Sequence, residues 1–243
     1  MRFALIGYPV AGSLSPRLFA AAYGGRYPYD LLESEEFDQL WQAFLESYDG
    51  INVTAPFKRE ALSRVTQLSD SARESGAVNL VVKTPSGLLG HNSDVDGVLG
   101  AIGQRQFADT LVVGTGGAAR AAITAAGKLG CRLYVTGRSA SKVQELSERF
   151  GAEGLSFDQA AGLRPGLVIY TLPGLVSVPE GLNFAASTVL EAEYRHPSLA
   201  GIPCKEYLSG HQWLMWQAAA GYQTLTGEKP DIQNLINALA LCH

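Results

Sequence analysis

The chain has 243 residues, of which 47% are hydrophobic and 17% charged, enough for one large or two ordinary α/β domains with a substantial core. Its net charge of −4 comes from intermixed acidic and basic residues without a basic stripe, so we expect no nucleic-acid partner. No apolar stretch approaches the length of a membrane span and the N-terminus lacks a signal-peptide core, so we expect a cytoplasmic protein without a membrane partner.

The first part of the chain predicts an α/β lobe. An apolar strand at residues 2–6 precedes Ser15, the predicted N-cap of a helix with Pro16 at its first position. Ser34 is the predicted N-cap of an amphipathic helix whose apolar residues repeat at helical spacing as far as Leu45. The other predicted elements are strands at 27–32 and 50–54, a helix near Pro56, a hairpin of strands 78–83 and 88–92, and a helix at 96–102.

The middle of the chain predicts a Rossmann-type lobe. Strands are predicted at 110–113, 132–135, 167–172 and 188–192, with helices at 118–129 and 139–150. This alternation implies right-handed crossovers and a parallel sheet.

The end of the chain predicts two helices, at 212–226 and after the cap Asp231, and we expect both to pack back on the first lobe. The predicted divisions are a first domain at 1–100, a Rossmann-type domain at 101–209 and a returning C-terminal segment at 210–243. A hinge is predicted near residues 100–109.

A glycine-rich loop follows the strand at 110–113. Glycines at such a junction let backbone amides approach a pyrophosphate, and the N-terminus of the next helix attracts the anion. A glycine-rich turn can also serve only to pack a helix closely on a sheet, but strand and helix flank this loop as a dinucleotide motif requires. The residues that we expect at the cofactor are Gly114, Gly116, Gly117, Ala118 and Ala119.

The residues after the next strand predict which dinucleotide is bound. NAD enzymes usually place an acidic residue there for the ribose 2′-hydroxyl, whereas this chain has Arg138, Ser139 and Lys142. These side chains suit a 2′-phosphate, so the sequence predicts NADP(H). The three cysteines are scattered and the four histidines lack helical pairing, so we expect no metal.

Polar side chains also gather after strands of the first lobe. Asn52, Thr54 and Lys58 follow one strand, Asp94 follows another, and Asn79 supplies an amide. Because α/β proteins bind ligands at strand ends, this set predicts a site for a polyhydroxylated small molecule. An exposed lysine and a simple helix-capping turn remain the alternatives for Lys58 and Asp94.

The chain resembles the shikimate dehydrogenase family over almost its full length. Several family blocks occur in the correct order, and any one of them would be modest evidence by itself. Asn92-Ser93-Asp94 matches the family's Asn-Thr-Asp, with Ser for Thr. The other matching blocks lie at residues 13–16, 52–58, 76–79, 114–120 and 138–142, and at Gly210, Leu214 and Gln217.

This resemblance implies two α/β lobes, an N-terminal substrate-binding domain and a Rossmann-type NADP-binding domain. It implies reversible oxidation of shikimate to 3-dehydroshikimate with NADP⁺, on the route to chorismate and the aromatic amino acids. Lys58 and Asp94 would be the catalytic acid–base pair. The implied substrate-binding residues are Ser13, Ser15, Thr54, Asn79, Tyr194 and Gln217, and Thr171 and Gly210 join the cofactor-binding residues. The protein would act as a monomer or homodimer.

Three alternatives stay open at this point. Lys58 can act as the base, or as a cation that polarises the carbonyl while Asp94 or water handles the proton, since a neighbouring carboxylate favours a charged amine. The enzyme could be a quinate/shikimate dehydrogenase that uses NAD or NADP, or the chain could be a non-catalytic NADP-binding sensor. Departures from the family pattern at Gly137 and residues 170–173 leave the strictness of the NADP preference open, and those at Leu18 and Phe19 are expected to change packing beneath the substrate pocket.

Overall fold

In the computed structural model, which describes residues 1–241, the chain divides into two compact units. The first unit contains residues 1–97 together with the chain from Met215 onward, and the second contains residues 98–214. Residues 242 and 243, which belong to the predicted C-terminal segment, lie outside the described residues.

Within the described residues, the first unit is built on a mixed six-stranded sheet with the order β2-β1-β3-β5-β6-β4. Its strands are β1 (Phe3–Gly7), β2 (Tyr29–Glu33), β3 (Gly50–Val53), β4 (Gln67–Leu68), β5 (Leu80–Thr84) and β6 (Gly87–His91). β1 runs parallel to β2 and β3, whereas β5 is antiparallel to both β3 and β6. The pairing of β5 with β6 confirms the predicted hairpin.

Among the described residues, four helices of this unit lie between its strands in the chain: α1 (Ser15–Tyr23), α2 (Phe37–Ser47), α3 (Lys58–Leu62) and α4 (Asp70–Ser75). The apolar stripe of α2 buries Leu40, Trp41 and Phe44 in one cluster with Ile51 and Val53 of β3. Helical spacing places these side chains on one face, so their burial is the main packing contribution of this helix.

The second unit contains a parallel six-stranded sheet with the order β12-β11-β10-β7-β8-β9 in the described chain. Its strands are β7 (Asp109–Val113), β8 (Arg132–Thr136), β9 (Glu153–Leu155), β10 (Leu167–Tyr170), β11 (Thr188–Glu191) and β12 (Glu206–Leu208). The helices between them are α6 (Gly117–Lys128), α7 (Ala140–Phe150) and α8 (Phe157–Ala161). Every strand pair is parallel, which confirms the predicted Rossmann-type topology.

Two helices carry the chain from one unit to the other. The boundary between the units falls between residues 97 and 98 inside α5 (Ser93–Ile102), and again between residues 214 and 215 inside α9 (Gly210–Thr226). The last helix, α10 (Ile232–Ala240), packs against α1, and the backbone N–H of Asp231 donates to the carbonyl of Ala22 at 3.0 Å. These contacts confirm that the C-terminal helices return to the first lobe.

Two predicted helix caps are wrong. Ser15 is the first residue of α1 and Leu14 occupies the cap position, because the Ser15 hydroxyl contacts Ser13 instead of the helix amides. Ser34 lies before the cap of α2, which is Glu36, and its hydroxyl accepts from the Glu36 N–H at 3.0 Å. A serine that bonds two residues onward forms a turn that delays the helix.

Several short elements were not predicted, namely β4, α4, β9, α8 and β12. α5 also begins at Ser93, three residues before the predicted start. Among residues 1–241, no helix combines the length and the apolar character needed to cross a bilayer.

Candidate active site

Lys58 and Asp94 lie in direct contact in the first unit. Lys58 begins α3 just after β3, and Asp94 is in the first turn of α5 just after β6. Since β3, β5 and β6 are neighbours in the sheet, the two side chains approach each other, and Nζ of Lys58 donates to Oδ2 of Asp94. The side chain of Asp94 is 7% exposed and that of Lys58 is 20% exposed, so the pair is largely shielded from solvent.

Asn79 fixes the second oxygen of this carboxylate. Its Nδ2 donates to Oδ1 of Asp94 at 2.9 Å, and its Oδ1 accepts from the backbone N–H of Ser93 at 2.8 Å. Asn92 supports the same turn, since its Oδ1 accepts from the Asp94 N–H at 3.1 Å and its Nδ2 donates to Ser75 Oγ at 2.8 Å. The network holds Asp94 in one orientation even without the lysine.

The Asn-Ser-Asp turn is therefore both a helix start and part of the polar cluster. The turn does cap α5, as the alternative for Asp94 expected, and the capping side chain is Asn92, whose Oδ1 accepts from the Asp94 N–H. The Asp94 carboxylate is directed at Lys58 and Asn79.

Ser13, on the loop that leads into α1, lies next to Ser15, the first residue of that helix. The hydroxyl of Ser13 donates to that of Ser15 at 3.1 Å and accepts from the Ser15 N–H at 3.2 Å. Glu33, at the end of β2, holds this loop by accepting from the N–H groups of Val10 at 2.6 Å and Ala11 at 3.0 Å. Two hydroxyl groups are thus presented side by side, a spacing suited to a carboxylate.

The remaining predicted substrate residues of this unit are Thr54, after β3, and Gln217, on α9. Both are half-buried. Among the described residues, neither side chain has a hydrogen-bond partner, which leaves both polar groups available to a ligand.

Two tyrosines of this region were missed by the sequence reasoning. The Tyr29 hydroxyl donates to Oδ1 of Asn52 at 2.8 Å, and burial raises its pKa well above the usual value, so it stays neutral. The Tyr222 hydroxyl donates to the carbonyl of Ser15 at 3.1 Å. Strand alternation places Tyr29 on the same face as Glu33, a signal that was present in the sequence.

The glycine loop of the second unit has two kinds of glycine. Gly114 has φ of 125°, and a Cβ there would lie 2.2 Å from Oγ1 of Thr171, so only glycine fits. Gly116 caps α6, is exposed, and a Cβ there would contact nothing within 4 Å. The predicted pyrophosphate-binding residues Gly116, Gly117, Ala118 and Ala119 therefore lie at the N-terminus of a 12-residue helix with open space before it.

Thr171 closes this loop from the neighbouring strand. Its hydroxyl and its N–H both donate to the carbonyl of Val113, each at 2.9 Å. The Thr171 hydroxyl thus donates its hydrogen bond within the protein. We expect Thr171 to contact a ligand through its backbone at the end of β10.

The predicted 2′-phosphate group follows β8. Arg138 and Lys142 are exposed and form no ion pair within the described chain, whereas Ser139 caps α7 by accepting from the Lys142 N–H at 3.4 Å. A cavity of about 670 Å³ lies beside this segment; it is lined in part by Gly137, Arg138, Val143, Leu155 and Phe157. Arg138 and Lys142 can therefore bind an anion, whereas the Ser139 hydroxyl already accepts a hydrogen bond from the helix backbone.

Tyr194 and Gly210 lie near each other in the second unit. The Tyr194 ring lies against His211, with ring centroids 5.5 Å apart. At Gly210 a Cβ would come within 2.7 Å of the Ala192 carbonyl oxygen, so the start of α9 abuts the end of β11. Residues 1–241 contain no cluster of three or more His, Cys, Asp or Glu side chains able to hold a metal ion.

Comparison with known proteins gives consistent results for both halves of the chain. A family profile described as the shikimate dehydrogenase substrate binding domain matches residues 5–81. Shikimate dehydrogenase from Mycobacterium tuberculosis is 30% identical, with a TM-score of 0.86 over 100% of this chain and 99% of that one. Shikimate 5-dehydrogenase from Thermus thermophilus, solved with NADP(H) and shikimate, is 26% identical, with a TM-score of 0.88 and 100% of both chains covered.

Curated sequences include much longer relatives. The pentafunctional AROM polypeptide of Candida tropicalis is 34% identical over 226 residues, which cover 80% of this chain but 15% of that protein. Pentafunctional AROM polypeptide 2 of Lodderomyces elongisporus is 35% identical over 198 residues, covering 74% of this chain and 13% of its own length. The chain thus spans about a seventh of these relatives or less.

Proposed function

Since the chain belongs to the shikimate dehydrogenase family, we propose that it is an NADP-dependent oxidoreductase that interconverts shikimate and 3-dehydroshikimate. The observation that carries this proposal is the contact of Lys58 with Asp94, fixed by Asn79. An amine and a carboxylate held together suit the oxidation of one hydroxyl on a polar ring.

Substrate binding is assigned to the polar groups of the first unit. Ser13 and Ser15 would donate to the substrate carboxylate, and their mutual hydrogen bond would be exchanged for bonds to that anion. Thr54, Asn79, Asp94 and Gln217 would hold ring hydroxyls, and Tyr194 is assigned a further substrate contact.

The residues of the second unit fit the dinucleotide. The open space at Gly116, the helix N-terminus and the exposed cations Arg138 and Lys142 suit a pyrophosphate and a 2′-phosphate. Gly114, Gly117, Ala118, Ala119, Ser139, Thr171 and Gly210 would complete the binding surface. When bound, NADP⁺ supplies the acceptor for the hydride.

Oxidation of a secondary alcohol removes a hydride from carbon and a proton from oxygen. The lysine Nζ is the donor in its contact with Asp94, so in the reductive direction Lys58 can donate a hydrogen bond and then a proton to the carbonyl oxygen. In the oxidative direction the proton returns to this pair. Asn79 keeps the carboxylate in place during the exchange.

The direct test mixes the purified chain with shikimate and NADP⁺ and follows the absorbance of NADPH. Turnover that is fastest with this pair supports the proposal. Faster turnover with quinate and NAD⁺ identifies a quinate/shikimate dehydrogenase instead. Binding of NADP without turnover of either substrate identifies a sensor on the same scaffold. A cytoplasmic location and a monomeric or homodimeric state remain predictions, the latter to be checked by sedimentation.

A further inference from the structure

The carboxylate of Glu193 binds the backbone of two separate segments of the second unit. Glu193 lies two residues after β11, and its Oε1 accepts from the N–H groups of Arg195 at 2.7 Å and His196 at 3.3 Å. Burial opposes ionisation of Glu193, but hydrogen bonding from the backbone of Arg195, His196, Gly174 and Tyr194 outweighs it and lowers the pKa of this carboxyl. Gly174 lies after β10, so backbone from the segments that follow two neighbouring strands stabilises the charge of one side chain.

These two segments are in close contact beside the Glu193 side chain. A Cβ at Gly174 would lie 1.8 Å from the carbonyl oxygen of His196, so that position accepts only glycine. A Cβ at Gly210 would lie 2.8 Å from the carbonyl oxygen of Glu193 itself. The backbone around Glu193 is therefore packed on both sides.

A second carboxylate anchors the far end of the same loop. Glu191 is fully buried at the end of β11, where its oxygens accept from the N–H groups of Ser198 at 2.6 Å and Leu199 at 3.2 Å. Tyr194 follows Glu193 directly in this loop, and the guanidinium of Arg195 lies 5.6 Å from its ring centre. The position of the Tyr194 ring thus depends on how the loop is held.

We propose that Glu193 is a positioning residue, which holds Tyr194 and the segment after β10 in place for the substrate and the cofactor. This inference rests on the proposed function only for its kinetic consequence. The carboxylate suits the task because its oxygens only accept hydrogen bonds, and Oε1 takes the N–H groups of both Arg195 and His196.

The test replaces Glu193 with glutamine, which keeps the size but removes the negative charge and turns one carboxylate oxygen into an N–H donor. Hydrogen–deuterium exchange is followed in peptides covering residues 171–177 and 192–200. We expect exchange at least ~10-fold faster in both segments, because their amides lose their acceptor. Glu153→Gln, an exposed carboxylate of edge strand β9, is the matched control and should change neither peptide. Unchanged exchange in Glu193→Gln overturns the proposal, whether or not the enzyme turns over shikimate.

A kinetic cycle separates positioning from general loss of structure. Glu193→Gln, Tyr194→Phe and the double variant are compared for kcat and for KM of shikimate. If Glu193 acts through Tyr194, the double variant is little worse than the worse single variant, and KM rises ~5-fold or more with a smaller change in kcat. If the double variant instead shows the product of the two single-variant effects on kcat and KM, Glu193 and Tyr194 act independently, and the positioning role is overturned.

Discussion

The contact between Lys58 and Asp94 leaves each group with a distinct role. Asp94 has both oxygens engaged, one by Lys58 and one by Asn79, while the turn beneath it is fixed by Asn92. Lys58 has no comparable second anchor at its amine in the described chain. The Lys58 amine is consequently the group that can move toward a substrate, whereas the Asp94 carboxylate stays in a fixed position.

This asymmetry predicts the result of removing the amine. Lys58→Met should lower kcat at least ~100-fold, because a positioned acid–base group contributes ~10²–10⁴-fold, while KM for shikimate changes far less. Steady-state kinetics with saturating NADP⁺ measure both constants. Lys229→Met, at an exposed lysine of the same unit, is the control and should leave both unchanged. Normal turnover of Lys58→Met would refute the catalytic assignment.

Cofactor choice is assigned to Arg138, whose guanidinium is exposed beside the cavity after β8. Arg138→Leu should weaken the preference for NADP over NAD by about one to two orders of magnitude, because charge-assisted hydrogen bonds contribute ~1.5–3 kcal/mol. The ratio of kcat/KM for the two cofactors is the measurement. Arg149→Leu, at the other end of α7, is the matched control. Equal use of both cofactors by the parent protein would contradict the assignment.

Sequence blocks identified Lys58, Asp94 and Asn79 and the pairing of Lys58 with Asp94, but not the contact of Asn79 with Asp94. Asn79 was expected to bind substrate, and its amide is found on the Asp94 carboxylate. Tyr222 escaped notice because its partner Ser15 lies 207 residues away along the chain, where no local pattern reports a contact. Local spacing predicts which groups face a site, whereas pairing inside the site depends on the assembled sheet.

At the scale of elements, long periodic segments were predictable and short ones were not. α2 and β10 carry enough apolar residues to show their period. β9 and β12 have three residues each, begin with glutamate and lie at the two edges of the parallel sheet. They are strands because β8 and β11 offer backbone groups to pair with, a condition that exists only after the sheet has formed.

The glycine loop joins element geometry to binding in a testable way. Gly114→Ala forces a side chain into a left-handed conformation 2.2 Å from Thr171, so the melting temperature should fall by several degrees, for a cost of about 2 kcal/mol or more. Gly116→Ala meets open space and should leave the melting temperature nearly unchanged. Its methyl group lies where the pyrophosphate is expected, so the Kd for NADP should rise at least ~10-fold. Thermal melting and cofactor titration of both variants separate the two effects, and unaltered NADP binding by Gly116→Ala would count against the nucleotide site.

At the scale of the whole molecule, each unit has its own sheet and its own apolar core. The chain changes unit inside α5 and inside α9. Helical periodicity continues through both points, so the sequence carries no local mark of them. In both units a glutamate at a strand end accepts hydrogen bonds from the backbone of a loop, Glu33 in the first and Glu191 in the second.

The core of the second unit also contains an ionisable cluster around Glu191. The Tyr207 hydroxyl donates to Oε2 of Glu191 at 2.6 Å, and burial together with that carboxylate raises the pKa of Tyr207. Tyr170 is fully buried, and its hydroxyl has no hydrogen-bond partner within residues 1–241. Burial, followed by the charge of Glu191, raises the pKa of Tyr170 to about 12.

The Tyr170 hydroxyl therefore makes global stability sensitive to alkaline pH. The folded state favours its neutral form, so this contribution to stability is complete below the unfolded pKa of about 10 and is lost as pH rises toward the folded value of about 12. Tyr170→Phe removes that dependence and also removes an unpaired buried hydroxyl, so the variant should be as stable as the parent near neutral pH or more stable by about 1 kcal/mol. Its advantage should widen as pH rises from about 10 to about 12.

Tyr207→Phe is the matched comparison, because it deletes a hydrogen bond to a buried carboxylate and should destabilise the protein by about 1.5–3 kcal/mol. Melting temperatures of both variants and the parent, measured at about pH 7 and about pH 11, check the opposite signs. A Tyr170→Phe variant that melts as early as Tyr207→Phe at neutral pH would mean that the Tyr170 hydroxyl is paired in solution. The alkaline sensitivity would then require a different group.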